Sequence, residues 1–163
     1  MRVRPYNPAD AAPLAGLYLR SVERIGARSY APPQVEAWAS LAPTPERLDA
    51  LMADGRTRLV AADKDRPVAF ADLEQDGHIH FLYCDPDTAG TGVASRLYDE
   101  LERTARAGGL RRLYAEASEA ARQFFLKKGF VLTARRDFEV GGVPLHNYAV
   151  EKALPDEPGG LRP

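Results

Sequence analysis

Residues 78–101 read HIHFLYCDPDTAGTGVASRLYDEL, a strand, a turn and a helix in one run. The first residues suit a β-strand. Asp85-Pro86-Asp87 breaks it, Gly90-Thr91-Gly92 turns the chain, and the remainder has helical periodicity. Gly90 and Gly92 carry no side chain, so a ligand can lie against the backbone there. The amides that open the following helix have no internal partners and sit at the positive end of its dipole. A loop of this kind holds anions, most naturally phosphate.

Upstream, residues 57–62 and 67–73 read as strands joined by the charged turn Asp63-Lys64-Asp65-Arg66. Gln75-Asp76-Gly77 makes a second tight turn into a third strand, 78–84, giving an antiparallel meander. Downstream, the pattern predicts a helix over 93–107, with Ala94, Leu97, Leu101 and Ala105 on one face and Gly108-Gly109 stopping it. A strand over 112–117 completes a β–loop–α–β unit and implies a parallel pair. Ser118 caps a helix over 119–128, and a hairpin of 130–140 and 143–151 closes the chain around Gly141-Gly142. At the other end, a short strand over 2–6 precedes three helical pieces. The first carries Leu14, Leu17, Tyr18, Val22 and Ile25, the second spans 34–40, and the third opens at Pro43-Thr44-Pro45 with Thr44 as cap. The expected fold is α/β (α+β), a mixed, mostly antiparallel sheet of about seven strands with helices on both faces. It forms one domain over residues 1–152, followed by a frayed tail over 153–163.

The 163 residues suffice for one sizeable core, and a net charge of −1 gives no electrostatic reason to expect nucleic acid or an anionic membrane as partner. The single cysteine, Cys84, excludes an internal disulfide and fits a reducing compartment. With no apolar run near 18 residues, the expectation is a cytoplasmic protein.

Three ligands suit the glycine loop. A nucleoside-triphosphate loop requires Gly-Lys-Ser/Thr, and none follows Gly92. A dinucleotide fingerprint requires a third glycine where Ser95 stands, and a parallel rather than antiparallel start to the sheet. The third is the pyrophosphate of coenzyme A. On the run from Leu82 to Ala94, the chain resembles the acetyl-CoA motif of the GNAT superfamily of N-acetyltransferases. That motif is a strand, an acid-Pro-acid turn, and Gln/Arg-Gly-x-Gly-x-Gly/Ala. Glu116-Ala117-Ser118 and the run from Ala121 to Phe130 resemble the family's second motif. Arg28-Ser29-Tyr30, Trp38 and the run Ala121 to Phe125 are similar to a small bacterial branch, the YafP-like proteins.

The resemblance implies an acetyl-CoA-dependent N-acetyltransferase in which a small-molecule amine attacks the acetyl group directly. Backbone groups of Leu82 and Cys84, flanking Tyr83, would pair with the pantetheine amides. The amides of Ala89, Gly90, Thr91, Gly92, Val93 and Ala94 would hold the pyrophosphate, and Ser118 would contact the cofactor arm. The acetyl group would point into a gap between splayed strands, near a backbone N–H at Leu82. Ala89 replaces the usual Gln/Arg at a position that contributes mainly backbone. Phe125, beside the cofactor, stands where many members have a tyrosine that protonates the thiolate. Tyr83, Tyr114, Tyr148 or water is left for that task. The resemblance also admits a homodimer, and the vacant acid position leaves a CoA-binding sensor or scaffold as the alternative.

An alkylammonium, with a pKa of about 10.4, must lose a proton before it attacks. Glu74 and Glu116, each ending a strand, are candidate bases; otherwise each is a solvated or paired carboxylate. His78 and His80 share a strand face, roughly 7 Å apart. A third metal ligand is not evident, so no metal is expected, and His80 is a further base or a lining group of the acceptor site. Cys84 lies roughly 13 Å along the strand from His80, too far for a nucleophile–base pair. Tyr18 and Trp38 belong to helices that in the family form one wall of the acceptor site, and either packs in the core or lines that wall. Tyr30, in a proline-rich loop, is a candidate substrate contact with Trp38. Arg111-Arg112 and Lys127-Lys128 read as solvated faces.

Overall fold

The computed structural model describes residues 1–155. In chain order they form β1 (Arg2–Pro5), α1 (Ala11–Ile25), α2 (Pro32–Ala39), α3 (Pro45–Leu51), β2 (Thr57–Asp63), β3 (Arg66–Leu73), β4 (Leu82–Cys84), α4 (Val93–Ala107), β5 (Arg112–Ala117), α5 (Glu119–Lys127), β6 (Val131–Val140) and β7 (Val143–Ala153). The predicted caps are in place. Thr44 Oγ1 accepts the Arg47 N–H at 3.2 Å, and Ser118 Oγ accepts the Ala121 N–H at 3.2 Å. Asn7 Oδ1 accepts the Ala9 N–H at 3.0 Å at the start of the first helical segment.

The seven strands form two sheets that part at the splay the resemblance implies. β1-β2-β3-β4 form one antiparallel sheet and β5-β7-β6 a second. They meet through one parallel bridge, His78 with Tyr114, where Tyr114 N–H donates to Gly77 O at 3.1 Å and Ile79 N–H to Tyr114 O at 2.9 Å. Gly77 permits that approach, because a Cβ there would lie 2.1 Å from Arg112 O. Beyond the bridge the strands part. The strand expected over 78–84 keeps regular pairing only at Leu82–Cys84. The cause is Asp72, fully buried on β3, whose Oδ1 accepts the N–H groups of both His80 and Phe81 at 2.9 and 2.6 Å. Two successive amides turned to one acceptor break the alternation of a ladder, as at a β-bulge. Arg56 Nη1 donates to Asp72 Oδ2 at 2.8 Å and balances the buried charge.

Helices cover both faces of the meander. Val60 and Phe70, paired in register, face α1 and α3 and pack with Leu14, Leu17 and Leu48. Ala61, Ala69 and Ala71 face the other way, toward Leu97 and Leu101 of α4. Both leucines are fully buried, and truncating either to alanine costs about 2–5 kcal/mol. The packed chain continues beyond residue 152: Ala153 pairs with Arg112, and Leu154 is buried with its N–H on Arg111 O at 2.7 Å. The remainder of the expected tail, 156–163, lies outside the described residues.

Candidate active site

The loop after β4 is fastened by the acid-Pro-acid turn. Asp85 Oδ1 accepts the Asp87 N–H at 3.0 Å, and Oδ2 pairs with Arg20 at 3.0 Å. Burial works to raise the Asp85 pKa, but the Asp87 N–H and the Arg20 guanidinium outweigh it and hold it low. Gly90 and Gly92 then take left-handed conformations, φ +79° and +87°, with open space where a side chain would stand. Among the described residues, the amides of Gly90, Gly92, Val93, Ala94 and Ser95 have no backbone partner, whereas Ala89 and Thr91 donate back to Pro86 O and Thr88 O. The exposed, anion-seeking part of the loop therefore runs from Gly90 into the first turn of α4. Lys128 Nζ is held nearby by Ser95 Oγ at 2.6 Å and Asp99 at 2.7 Å.

β4 has one bare edge. Phe81 O accepts from Asp72 N–H and Asp85 N–H donates to Val68 O, so the odd-numbered residues face β3. By the alternation of antiparallel pairing, the backbone groups of Leu82 and Cys84 face the splay, where no strand pairs with them. A ligand carrying amides can add there as an extra strand. The Cys84 side chain packs against the core, and burial pushes its thiol pKa up, which disfavours the thiolate.

Two adjoining cavities occupy the splay. The smaller, about 50 Å³, lies between β4 and β5 and touches Leu82, Ser118 and Phe125. The larger, about 210 Å³, opens toward β6 and β7 and touches Leu41, Arg136, Phe138 and Asn147. Trp38, His80, Tyr83 and Glu116 line both. Three of the four predicted catalytic residues are thus brought together, beside a predicted substrate contact.

Glu74, the fourth, lines neither cavity and is linked to the site by a residue assigned no catalytic role in the sequence. His78 Nε2 donates to Glu116 Oε1 at 2.9 Å, and its Nδ1 hydrogen-bonds Glu74 Oε2. Glu74 Oε1 also pairs with Arg56 at 3.1 Å. The Glu116 hydrogen bond, opposed by burial and helped by Glu74, pushes the His78 pKa up to about 9. The same hydrogen bond holds the Glu116 carboxyl below the usual carboxylate range. At neutral pH the cluster is therefore an imidazolium between two carboxylates, and Glu116 is a fixed negative charge with little appetite for a proton. His80 contrasts with it. Its ring stacks on Phe81 at 4.3 Å and faces the cavities, and among the described residues its imidazole nitrogens make no hydrogen bond.

The aromatic candidates separate. The Tyr83 ring lies 4.6 Å from that of Tyr18, and burial pushes its phenol pKa well above 10, so it stays protonated. Tyr114 bonds Asp76 and stacks on His78, and Tyr148 is engaged by Glu119; neither lines the two cavities. Phe125 is buried against Phe124 and Phe130 and has no proton to give. Tyr30, expected as a substrate contact, has its hydroxyl committed to structure: it donates to His146 O at 3.1 Å and accepts the Glu119 N–H at 3.0 Å. Its ring meets Trp38 edge-on at 5.3 Å, so it braces the wall that Trp38 presents.

Asp72 and Arg56 escaped the sequence reading, and His78 was weighed there only beside His80, not as a link between Glu74 and Glu116. The only signal for Asp72 was a charged residue in an otherwise apolar strand, VAFADL.

The Acetyltransferase (GNAT) domain family matches residues 26–152. A GCN5-related N-acetyltransferase from Rhodopseudomonas palustris is 38% identical, with a TM-score of 0.86 over 94% of this chain and 95% of its own. The uncharacterized N-acetyltransferase YafP of Escherichia coli is 28% identical over 148 residues, 91% of this chain and 93% of the relative. The PaiA N-acetyltransferase of Thermoplasma acidophilum, solved in complex with coenzyme A, shares the fold, with a TM-score of 0.74 at 18% identity over 94% of this chain and 98% of its own. Among the described residues, no helix is long and apolar enough to cross a membrane. The family match spans most of the chain, and the chain belongs to the GNAT family of N-acetyltransferases.

Proposed function

We propose that the protein transfers an acetyl group from acetyl-CoA to the amine of a small molecule, by direct attack in a ternary complex in the cytoplasm. The observation that carries this reading is the meeting of the two cavities at Trp38, His80, Tyr83 and Glu116, reached from one side along the bare β4 edge and the open glycine loop. The residues present fit the cofactor: amides of Gly90, Gly92, Val93, Ala94 and Ser95 for its pyrophosphate, and backbone groups of Leu82 and Cys84 for its pantetheine. When bound, acetyl-CoA supplies an activated thioester carbonyl.

The chain's own groups then divide the work. The Glu116 carboxylate, kept charged by His78, draws the acceptor's ammonium into the junction. The His80 imidazole takes the proton that must leave before the amine can attack, directly or through one water. A backbone N–H near Leu82 polarises the carbonyl. The Tyr83 phenol stays protonated and supplies the proton that the departing thiolate needs, a task Phe125 cannot perform. Cys84 is not required as a nucleophile, which agrees with its raised pKa.

Phe125 favours a second reading, a CoA-binding sensor of weak activity. Calorimetry with acetyl-CoA, NADH and ATP, followed by thiol release across an amine panel, separates the two. Acetyl-CoA binding with amine-dependent thiol release supports the enzyme; binding with no release for any amine supports the sensor.

A further inference from the structure

Acetyl transfer leaves one charged side chain of the larger cavity without a task. We propose that the acceptor is a free amino acid with an apolar side chain, and that Arg136 binds its carboxylate; this rests on the acetyltransferase reading above.

Register places the groups. Arg136 pairs with Asn147 and Phe138 with Leu145 across β6–β7, while Glu116 pairs with Ala149 across β5–β7. Cross-strand partners share a face, and so do alternate residues along a strand. Glu116, Asn147, Arg136, Leu145 and Phe138 therefore project from one face of the small sheet, into the larger cavity. Two strand spacings and a two-residue offset put the Cα atoms of Glu116 and Arg136 roughly 12 Å apart. The two long side chains span much of that distance, and the remaining gap suits a molecule whose ammonium and carboxylate are a few bonds apart.

Arg136 is available for the role. Its Nη1 donates to Asn147 Oδ1 at 3.3 Å, and among the described residues no carboxylate forms an ion pair with it. The adjacent Arg135, on the opposite face, is paired with Asp137 at 3.2 Å. A planar guanidinium is the side chain best shaped to take a carboxylate through two parallel hydrogen bonds. Between the charged ends the walls are Trp38, Leu41, Phe138 and Leu145, which leaves an apolar side chain as the fitting third substituent.

The test compares kcat/KM, by thiol release, for a series of free amino acids, their amides and their decarboxylated amines. The free acid is expected to exceed the other two ten- to hundredfold. Arg136→Gln is expected to bring the acid-to-amine ratio to within about threefold of one, through KM rather than kcat, and Arg136→Lys to recover part of the preference. Equal turnover of amide and acid by the wild type overturns the proposal, as does a preference that survives in Arg136→Gln. Turnover of peptides or polyamines alone also overturns it, but leaves the acetyltransferase reading standing. Thiol release with no amine of any class removes both.

Discussion

On the β4–α4 side of the cleft the groups open to a ligand belong to the backbone: the bare edge at Leu82 and Cys84, and the orphan amides of Gly90, Gly92, Val93, Ala94 and Ser95. On the opposite side, formed by α2 and the β5–β7–β6 sheet, they are side chains: Trp38, Glu116, Arg136 and Asn147. Backbone recognition tolerates most side-chain changes and fails only where a side chain blocks the approach or strains the turn. Side-chain recognition is open to change at every position. One wall can therefore stay committed to a single cofactor while the other is retuned for different acceptors.

The contrast is broken or sharpened most strongly at Gly92. Gly92→Val is expected to weaken acetyl-CoA binding by at least about 100-fold, roughly 2.7 kcal/mol, while costing only about 1–2 kcal/mol in stability for its left-handed φ. Ala89→Gln, which alters a side chain but not the backbone, is expected to change affinity by less than about threefold. Equal effects from the two would show that side chains matter on this wall too.

His80→Gln is expected to lower kcat about 100-fold, with acetyl-CoA affinity retained. Tyr83→Phe is expected to cost about tenfold in kcat, and Phe125→Tyr to change little, since the buried ring packs against Phe124 and Phe130.

The smallest effect concerns the cluster behind the side-chain wall. The His78 pKa is raised in the folded protein, to about 9, above the ordinary histidine value of 6.5. Its contribution is fully present below about pH 6.5 and is lost as pH rises through about 9. Chemical denaturation at pH 6 and pH 9 should show the wild type losing on the order of 1–2 kcal/mol more than His78→Gln across that interval. A parallel decline in both proteins would contradict the bridge between Glu74 and Glu116.

Local signals made most of the fold legible. α4 and β5 fall on the residues that periodicity, the Gly108-Gly109 stop and the Ser118 cap predict. The splay of the sheet was legible only through the family resemblance, because its cause here is one buried carboxylate, Asp72, drawing two amides out of a ladder eight and nine residues away. The same difference governs the site. The glycine loop could be read because its chemistry is contiguous, and glycine itself marks a backbone left open. Glu116 and His80 could be named as candidates, yet what separates them is that His78 hydrogen-bonds Glu116 and leaves the His80 ring nitrogens without a hydrogen bond among the described residues, a matter of side-chain geometry. Tyr30 looked like a pocket residue because it lies in a proline-rich loop, but partners 89 and 116 residues away occupy its hydroxyl.

The central claim is that the backbone of the β4–α4 side governs acetyl-CoA binding and the side chains where the two cavities meet, His80 among them, govern turnover. Its most direct test is an acetyl-CoA titration by calorimetry on the wild type, Gly92→Val and His80→Gln under one buffer. The account predicts a measurable and equal Kd for the wild type and His80→Gln, and no measurable binding by a still-folded Gly92→Val. Wild-type affinity in Gly92→Val, or matching losses in both variants, would contradict it.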